Sequence, residues 1–282
     1  MEAGGSVRGT ILRISLRLLM SATVLGAIVL GGCASTTKPG TVGVDRQQML
    51  LVSSADVDQA AALSYRKITA DASRKGLLNQ NPQQVARVRE IARRLIAQTG
   101  TFRSDAPSWK WEVNVITSKE LNAWCMPGGK IAVYTGLMDK LKLTDDELAA
   151  VMGHEIAHAL REHGREQVSE EIATATAISI AAAVLGAPSG TADLAGLVTD
   201  VTISKPHSRR DETEADRIGV ELAARAGYDP YGAVRVWEKM AHAGGSEPPQ
   251  FLSTHPSSES RIADLRVYAA RVEPLYQQAK KR

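Results

Sequence analysis

The chain has 282 residues and a formal net charge of +3, from 34 basic and 31 acidic side chains. Charge this evenly balanced leaves no concentrated basic patch, which excludes nucleic acid as a partner. Only two cysteines are present, so a small scaffold held together by disulfides is also excluded.

The N-terminus has the pattern of a bacterial export signal. Arg8, Arg13 and Arg17 precede an apolar run over residues 18–30, which is too short to span a bilayer comfortably. The run ends Leu-Gly-Gly-Cys, which resembles a lipoprotein signal with Cys33 as the acylated residue. Residues 1–32 are therefore predicted to be a lipoprotein signal peptide. Attachment by more than one acyl chain would anchor the mature protein stably.

Residues 33–50 are predicted to form the lipidated cysteine and a flexible tether, because residues 35–43 are rich in Ser, Thr, Gly and Pro. Ala34 follows the cysteine. Lipoprotein sorting usually keeps Asp at that position in the inner membrane, so Ala favours the outer membrane. Residues 51–282 are long enough to form one folded domain.

The first half of that domain mixes helix and strand. Pro82 to Gln98 is amphipathic, with proline at a position favourable for starting a helix. Trp111 to Ile116 alternates like a strand, and Lys130 to Tyr134 forms a second strand after a Pro-Gly-Gly turn. That second strand is either a sheet edge that aligns an extended peptide or an ordinary sheet strand.

The next helix carries the most specific motif. Thr144 to Glu147 forms a capping box, and apolar residues then recur at helical spacing. The helix contains His154-Glu155-Ile156-Ala157-His158, the H-E-x-x-H pattern. Residues four apart share one helix face, so both imidazoles can bind one metal ion. Glu155 is then placed to take a proton from water on that metal, which is peptide-hydrolysing chemistry.

Catalytic zinc usually takes three protein ligands. Residues 208–219 contain four acids within six positions, and spacing alone leaves Glu212 and Glu214 as alternatives for the third ligand. The segment could also be a solvated helix start, since acids favour the first turn.

The remaining elements carry weaker signals. Ile172 to Ala187 is apolar and Ala-rich, and we predict a buried or membrane-facing helical hairpin with residues 194–203 rather than a spanning helix. Three more helices are expected over residues 212–227, 230–240 and 260–272. Cys125 is expected to be a packed small residue rather than a nucleophile.

Three further histidines are expected at the surface. His163 lies five residues after His158 and so leaves the ligand face of a continuous helix. His207 sits in a basic loop, and His242 ends an amphipathic stretch.

Four blocks together resemble a known family of zinc metallopeptidases, that of the CAAX prenyl proteases, HtpX and the mitochondrial OMA protease. Within it, the chain looks most like the periplasmic BepA-like and LoiP-like lipoprotein proteases. The blocks are residues 122–129, 154–158, 208–219, and Thr254-His255-Pro256 with Arg261.

This resemblance implies a fold and a ligand set. The expected fold is a mostly helical α+β, zincin-like (gluzincin) domain with a small β-sheet, holding one Zn²⁺ per chain. Glu212 is implied as the third ligand, with Asp216 orienting a ligand histidine. Glu214 would then be a helix surface residue.

The resemblance also gives roles to two downstream residues. His255 is implied to approach the metal, either stabilising the oxyanion or acting as a gating fourth ligand. Arg261 is expected to anchor this segment by pairing with an acid near the metal.

The predicted function is a membrane-anchored, periplasmic zinc endopeptidase. Its implied substrates are misfolded or stalled envelope proteins, with outer-membrane β-barrel proteins as the main class. Two alternatives remain: a zinc-dependent chaperone or assembly factor that cleaves rarely, and a structural zinc site. Glu155 argues against the structural site, which has no use for a general base.

Overall fold

The computed structural model describes residues 33–184, 193–243, 250–255 and 259–281. The predicted signal peptide, residues 1–32, lies outside the described residues. The architecture is mostly helical with small sheets, which confirms the predicted α+β class. The strands are β1 (Cys33–Ala34), β2 (Gln48–Met49), β3 (Glu112–Ile116), β4 (Ala123–Met126) and β5 (Lys130–Tyr134). The α-helices are α1 (Ser54–Arg74), α2 (Pro82–Ile96), α3 (Thr135–Lys140), α4 (Asp145–Leu160), α5 (His163–Val184), α6 (Leu194–Thr199), α7 (Arg209–Arg225), α8 (Gly232–Ala243), α9 (Gln250–Thr254) and α10 (Glu259–Ala279).

The main sheet has three strands in the order β3-β5-β4. β5 runs parallel to β3 and antiparallel to β4. The tight turn between β4 and β5 uses Gly128 and Gly129, both with positive φ, as glycine readily allows. Because β5 is the central strand, the alternative that Lys130 to Tyr134 forms a sheet edge is wrong. β4 lies at the edge of this sheet and packs against α4.

Helix α4 runs through the centre of the domain. Its start is the predicted capping box: the Thr144 side chain accepts from the Glu147 backbone, and the Glu147 side chain accepts from the Thr144 backbone. From Glu147 to Leu160 every residue is buried. A helix buried on all faces must be enclosed by other elements, and here these include α7, α8 and β4.

Helices α4 and α7 approach each other most closely at two glycines. A Cβ on Gly219 would lie 2.7 Å from the backbone nitrogen of His154, and one on Gly153 would lie 2.8 Å from the carbonyl oxygen of Gly219. Only residues without a side chain allow backbones to come this near. This contact sets the distance between the two helices that carry the predicted metal ligands.

Residues 33–50, which we name the N-terminal strap, differ from the predicted flexible tether. Val42 and Val44 are 1% and 4% exposed and belong to the main hydrophobic core. β1 pairs with β2, and the fully buried Gln48 donates to the backbone oxygen of Arg161 at 2.6 Å. The turn-forming composition of this segment predicted a flexible tether, but two valines and one buried amide attach it to the domain.

The apolar region after the metal-binding motif folds as α5, followed by α6 and a π-helical turn over Asp200–Ser204. The connection that would close the predicted hairpin lies outside the described residues. Among the described helices, none combines the length and the apolar character needed to cross a bilayer.

Candidate active site

Four buried side chains from three elements converge on one point. His154 and His158 come from α4, Glu212 from the first turn of α7, and His255 from the residue after α9. All four residues are at most 5% exposed. Glu155 stands outside this group of four, although it is buried beside it.

The spacing of the donor atoms fits zinc. Tetrahedral ligands at 2.0–2.1 Å from one ion would lie about 3.3–3.4 Å from one another. The two Nε2 atoms of His154 and His158 are 3.1 Å apart. Glu212 oxygens lie 3.5 Å from His154 Nε2 and 3.3 Å from His158 Nε2. Two imidazoles and one carboxylate in this arrangement are therefore suited to hold Zn²⁺.

Asp216 and Arg261 support this group from behind. Asp216 Oδ1 lies 3.0 Å from His154 Nδ1, the ring nitrogen opposite the clustered one. Arg261 binds both carboxylate oxygens of Asp216, at 2.6 and 2.8 Å, and reaches Glu212 Oε2 at 2.7 Å. Its guanidinium also lies 3.6 Å from the centre of the Trp237 ring. Asp216 thus faces a histidine of the H-E-x-x-H motif, and Arg261 pairs with Asp216 and Glu212.

The electrostatics favour a metal-binding state. Burial lowers the pKa of the His158 imidazole well below its usual value, and nearby His207 adds to this, so His158 is neutral at physiological pH. Burial would raise the pKa of Glu212, but the charges of His255, His154 and Arg261 outweigh it and lower this pKa well below its usual range. Neutral imidazole and ionised carboxylate are the forms that bind zinc.

Glu155 has the environment of a proton acceptor. Burial raises the pKa of its carboxyl group, although the charges of His255 and His154 oppose that shift. Its Oε1 atom makes no hydrogen bond to the described part of the chain, and His255 Nε2 lies 3.4 Å away. A carboxylate that binds protons more readily than usual and has a free oxygen suits general-base chemistry.

His255 lies closer to the metal-binding group than a loop residue before proline would suggest. Its Nδ1 lies 3.2 Å from His154 Nε2 and 2.8 Å from Glu212 Oε1. The short helix α9 positions it, since the His255 backbone N–H donates to the oxygen of Phe251 and the two rings stack.

The surface assignments of His163 and Glu214 are wrong. Helix α4 ends at Leu160, and Glu162 has a φ of +52°, so the chain turns sharply before α5 begins. That turn brings His163 Nδ1 back to 2.9 Å from His158 Nδ1. Glu214 is 8% exposed and lies 3.1 Å from His163 Nε2. The prediction assumed a continuous helix, and no capping signal in the sequence marked the turn.

The surface assignment of His207 is wrong too. Its ring centre lies 4.2 Å from that of His158, and its backbone N–H donates to the oxygen of Thr254. This bond ties the segment before α7 to the segment that carries His255. His242, by contrast, is exposed as predicted.

Cys125 is buried on β4, and burial raises the pKa of its thiol well above the usual value. A thiol that resists ionisation is a poor nucleophile, so Cys125 serves as a packed small residue, as predicted.

Comparisons with known proteins agree with this geometry. The profile described as Peptidase family M48 matches residues 82–269. The chain is 35% identical over 208 residues to the mitochondrial metalloendopeptidase OMA1 of Schizosaccharomyces pombe, covering 72% of this chain and 58% of the relative. It is 30% identical over 249 residues to the metalloprotease LoiP of Escherichia coli, covering 85% of this chain and 92% of the relative.

A third relative is the beta-barrel assembly-enhancing protease of Escherichia coli, 30% identical over 174 residues, which are 58% of this chain and 36% of the relative. The alignments with OMA1 proteins from plant and yeasts span 30–58% of the length of those relatives. The family match covers both the motif helix and the helix that carries Glu212. The chain belongs to peptidase family M48.

Proposed function

We propose that this protein is a zinc-dependent endopeptidase. The observation that carries the proposal is the donor geometry: two imidazole nitrogens and one carboxylate at about tetrahedral spacing, with a separate buried carboxylate beside them. A structural zinc site would leave Glu155 without a role. A bound zinc ion would supply Lewis acidity towards water and the scissile carbonyl group.

The side chains have distinct tasks in this proposal. His154, His158 and Glu212 hold the ion. Glu155 accepts the proton of the attacking water and delivers it to the leaving amine nitrogen. Asp216 keeps the proton of His154 on Nδ1, so that Nε2 remains free to bind.

The substrate is proposed to be an extended polypeptide lying along β4. Within the described residues β4 pairs only with β5, and its four residues are buried, so a chain would reach the hydrogen-bonding groups of its other edge only after the covering segments move aside. β4 packs against α4, the helix that carries Glu155. A chain bound at this edge would therefore pass beside the proton acceptor.

His255 is proposed to occupy the fourth ligand position in the resting enzyme. Its Nδ1 lies 3.2 Å from His154 Nε2 and 2.8 Å from Glu212 Oε1, where it would compete with water. Cleavage then requires His255 to withdraw. The same contact favours the second candidate function, a zinc-dependent chaperone or assembly factor that binds clients and cleaves rarely.

The proposed location is the periplasmic side of the bacterial outer membrane, with the chain anchored by a lipid on Cys33. The signal pattern over residues 1–33 and Ala34 support this. The proposed substrates are misfolded or stalled envelope proteins. Similarity to a protease named for enhancing β-barrel assembly favours outer-membrane proteins as clients.

The decisive experiment is Glu155→Gln, which keeps the shape of the side chain but removes its basicity. We expect one bound zinc per chain by mass spectrometry, as in the wild type, and loss of casein cleavage by several hundredfold or more, on the order of what proton-transfer groups contribute. Glu120→Gln, on an exposed loop residue, is the control and should change neither. Wild-type cleavage by Glu155→Gln would contradict the general-base role, and loss of zinc would show that Glu155 is a ligand.

A further inference from the structure

We propose that His163 and Glu214 act in series to hold His158 in its metal-binding tautomer. They are positioning residues, since neither faces the proposed metal position. The inference rests on the proposed zinc site and extends it to a part of the chain that the sequence placed at the surface.

The contacts form a continuous series. His158 presents Nε2 to His154 and Glu212, and its other nitrogen, Nδ1, lies 2.9 Å from His163 Nδ1. On the far side of the second ring, His163 Nε2 lies 3.1 Å from Glu214 Oε2. The side chain of His163 is fully buried, so solvent cannot replace either partner.

The chemistry of neutral imidazole gives this series one direction. A histidine that binds metal through Nε2 must carry its proton on Nδ1, so His158 Nδ1–H is a donor. The partner nitrogen on His163 must then accept, which places the proton of His163 on Nε2. Only an acceptor opposite that Nε2–H stabilises this tautomer, and the Glu214 carboxylate is that acceptor.

The two ligand histidines are thus supported differently. His154 Nδ1 faces a carboxylate directly, that of Asp216 at 3.0 Å. His158 reaches its carboxylate through a second imidazole. In both cases the carboxylate fixes the proton on the nitrogen that does not bind metal, the usual arrangement behind a zinc-ligand histidine.

Glu214 is held as an anion by two arginines. Arg161 Nε donates to its Oε2 at 2.9 Å, and Arg46 Nε donates to its Oε1 at 2.7 Å. His163, Asp211 and Glu214 could by spacing suggest a second metal site. Guanidinium groups already bind both carboxylates, so we assign the cluster to positioning instead.

Arg46 connects the N-terminal strap to the series of contacts formed by His158, His163 and Glu214. Besides Glu214, its guanidinium binds both oxygens of Glu166 at 2.6 and 2.8 Å. Glu166 therefore provides a matched control: it shares Arg46 with Glu214 but is not the carboxylate that accepts from His163.

The test measures the zinc dissociation constant of the full chain by competition with a chelator at pH 7.5. We expect His163→Ala to weaken zinc binding about 10- to 100-fold, the range for partners behind a zinc ligand. Glu214→Gln, which keeps the shape of the side chain but only one acceptor oxygen and no charge, should weaken it less, by about tenfold. Glu166→Gln should bind zinc like the wild type.

The double variant tests the serial arrangement. Because Glu214 acts only through His163, His163→Ala combined with Glu214→Gln should bind zinc no more weakly than His163→Ala alone. Additive losses would overturn the series. Nitrogen-15 NMR of the zinc-loaded wild type should show His163 protonated on Nε2, and protonation on Nδ1 would also overturn it.

A merely structural role gives a different result. Thermal unfolding of the metal-free variants would then show a lowered midpoint, while the zinc dissociation constant stayed at the wild-type value, and this would refute the inference. Wild-type protein that binds no zinc would refute the proposed function as well. Wild-type protein that binds zinc and cleaves, beside a His163→Ala variant with unchanged affinity, would refute only this inference.

Discussion

Gly219 controls the distance between the two helices that carry the zinc ligands, and Gly219→Ala tests that control. Gly219 lies seven residues after Glu212, two helical turns along one face of α7. It faces the α4 backbone at Gly153 and His154. A methyl group there would push α7 away from α4, and would carry Glu212 away from the two histidines.

The size of the effect follows from the contact distances. The new Cβ would lie 2.7 Å from His154 N and 2.9 Å from the Gly153 carbonyl carbon, whereas ordinary contacts begin at 3.4 Å. The helices must therefore separate by about 0.5 Å or more, because backbone atoms cannot rotate aside as a side chain would. Overpacking lowers the free energy of unfolding by about 1–3 kcal/mol, whereas exchanging Gly for Ala in a helix raises it by up to about 1 kcal/mol. The net expectation is a loss of about 1 kcal/mol.

We expect a larger effect on zinc affinity than on the free energy of unfolding. Metal–ligand distances tolerate about 0.2 Å, which is less than the required separation. We expect the zinc dissociation constant, measured by chelator competition, to rise at least tenfold. In a domain of this size, the midpoint of thermal unfolding of the metal-free protein should fall by about 2–4 °C.

Gly164→Ala is the matched control, because it changes a helical glycine whose Cβ would meet only atoms at 3.7 Å or beyond. It should leave zinc affinity unchanged and the midpoint equal or higher. If Gly219→Ala bound zinc like the wild type and melted at a higher temperature, the close-approach reasoning would be wrong.

Three other perturbations address separate features. Burial and the charge of Glu162 raise the pKa of Asp58 to about 6. Ionisation of Asp58 therefore lowers the free energy of unfolding as pH rises from about 4 through 6. Asp58→Asn should add about 1 kcal/mol to this free energy at pH 7.5, after allowance for solvent screening, and almost nothing at pH 4. Denaturant titrations at the two pH values measure this, and a gain independent of pH would contradict it. His255→Ala should raise basal casein cleavage if this histidine holds the fourth ligand position, whereas a drop of about a hundredfold with zinc retained would assign it to oxyanion stabilisation. Cys33→Ser should abolish incorporation of a palmitate analogue, and label remaining in the variant would refute the proposed lipid attachment.

Local signals in the sequence predicted the motif helix well. The capping box and the apolar spacing of α4 are properties of neighbouring residues, so the start of the helix and its burial could be read directly. The choice between Glu212 and Glu214 could not be made in this way, because both lie on one helix and spacing does not say which of them faces α4. The resemblance assigned the ligand role to Glu212, and the structure places that residue in the donor cluster.

The position of His163 depended on a local turn, and the position of the strap depended on contacts distant in sequence. One residue with positive φ, Glu162, reverses the chain, and single-residue turns of this kind carry no periodic signal. Arg46 donates to Glu214, which lies 168 residues further along the chain. The composition of residues 33–50 predicted a flexible segment and could not reveal that contact. Contacts of this range are decided by packing rather than by local propensity.

The strap also limits where the enzyme could work. An unstructured segment of 18 residues would have given the domain a freedom of about 23 Å around its attachment point. Instead β1 begins at Cys33, and the residues behind it are fastened into the domain. With a lipid on Cys33, as proposed, the catalytic centre would stay at one height above the bilayer, within the radius of the domain itself. Such an enzyme could not search the surrounding space for clients, and would act on chains that emerge at the membrane surface beside it.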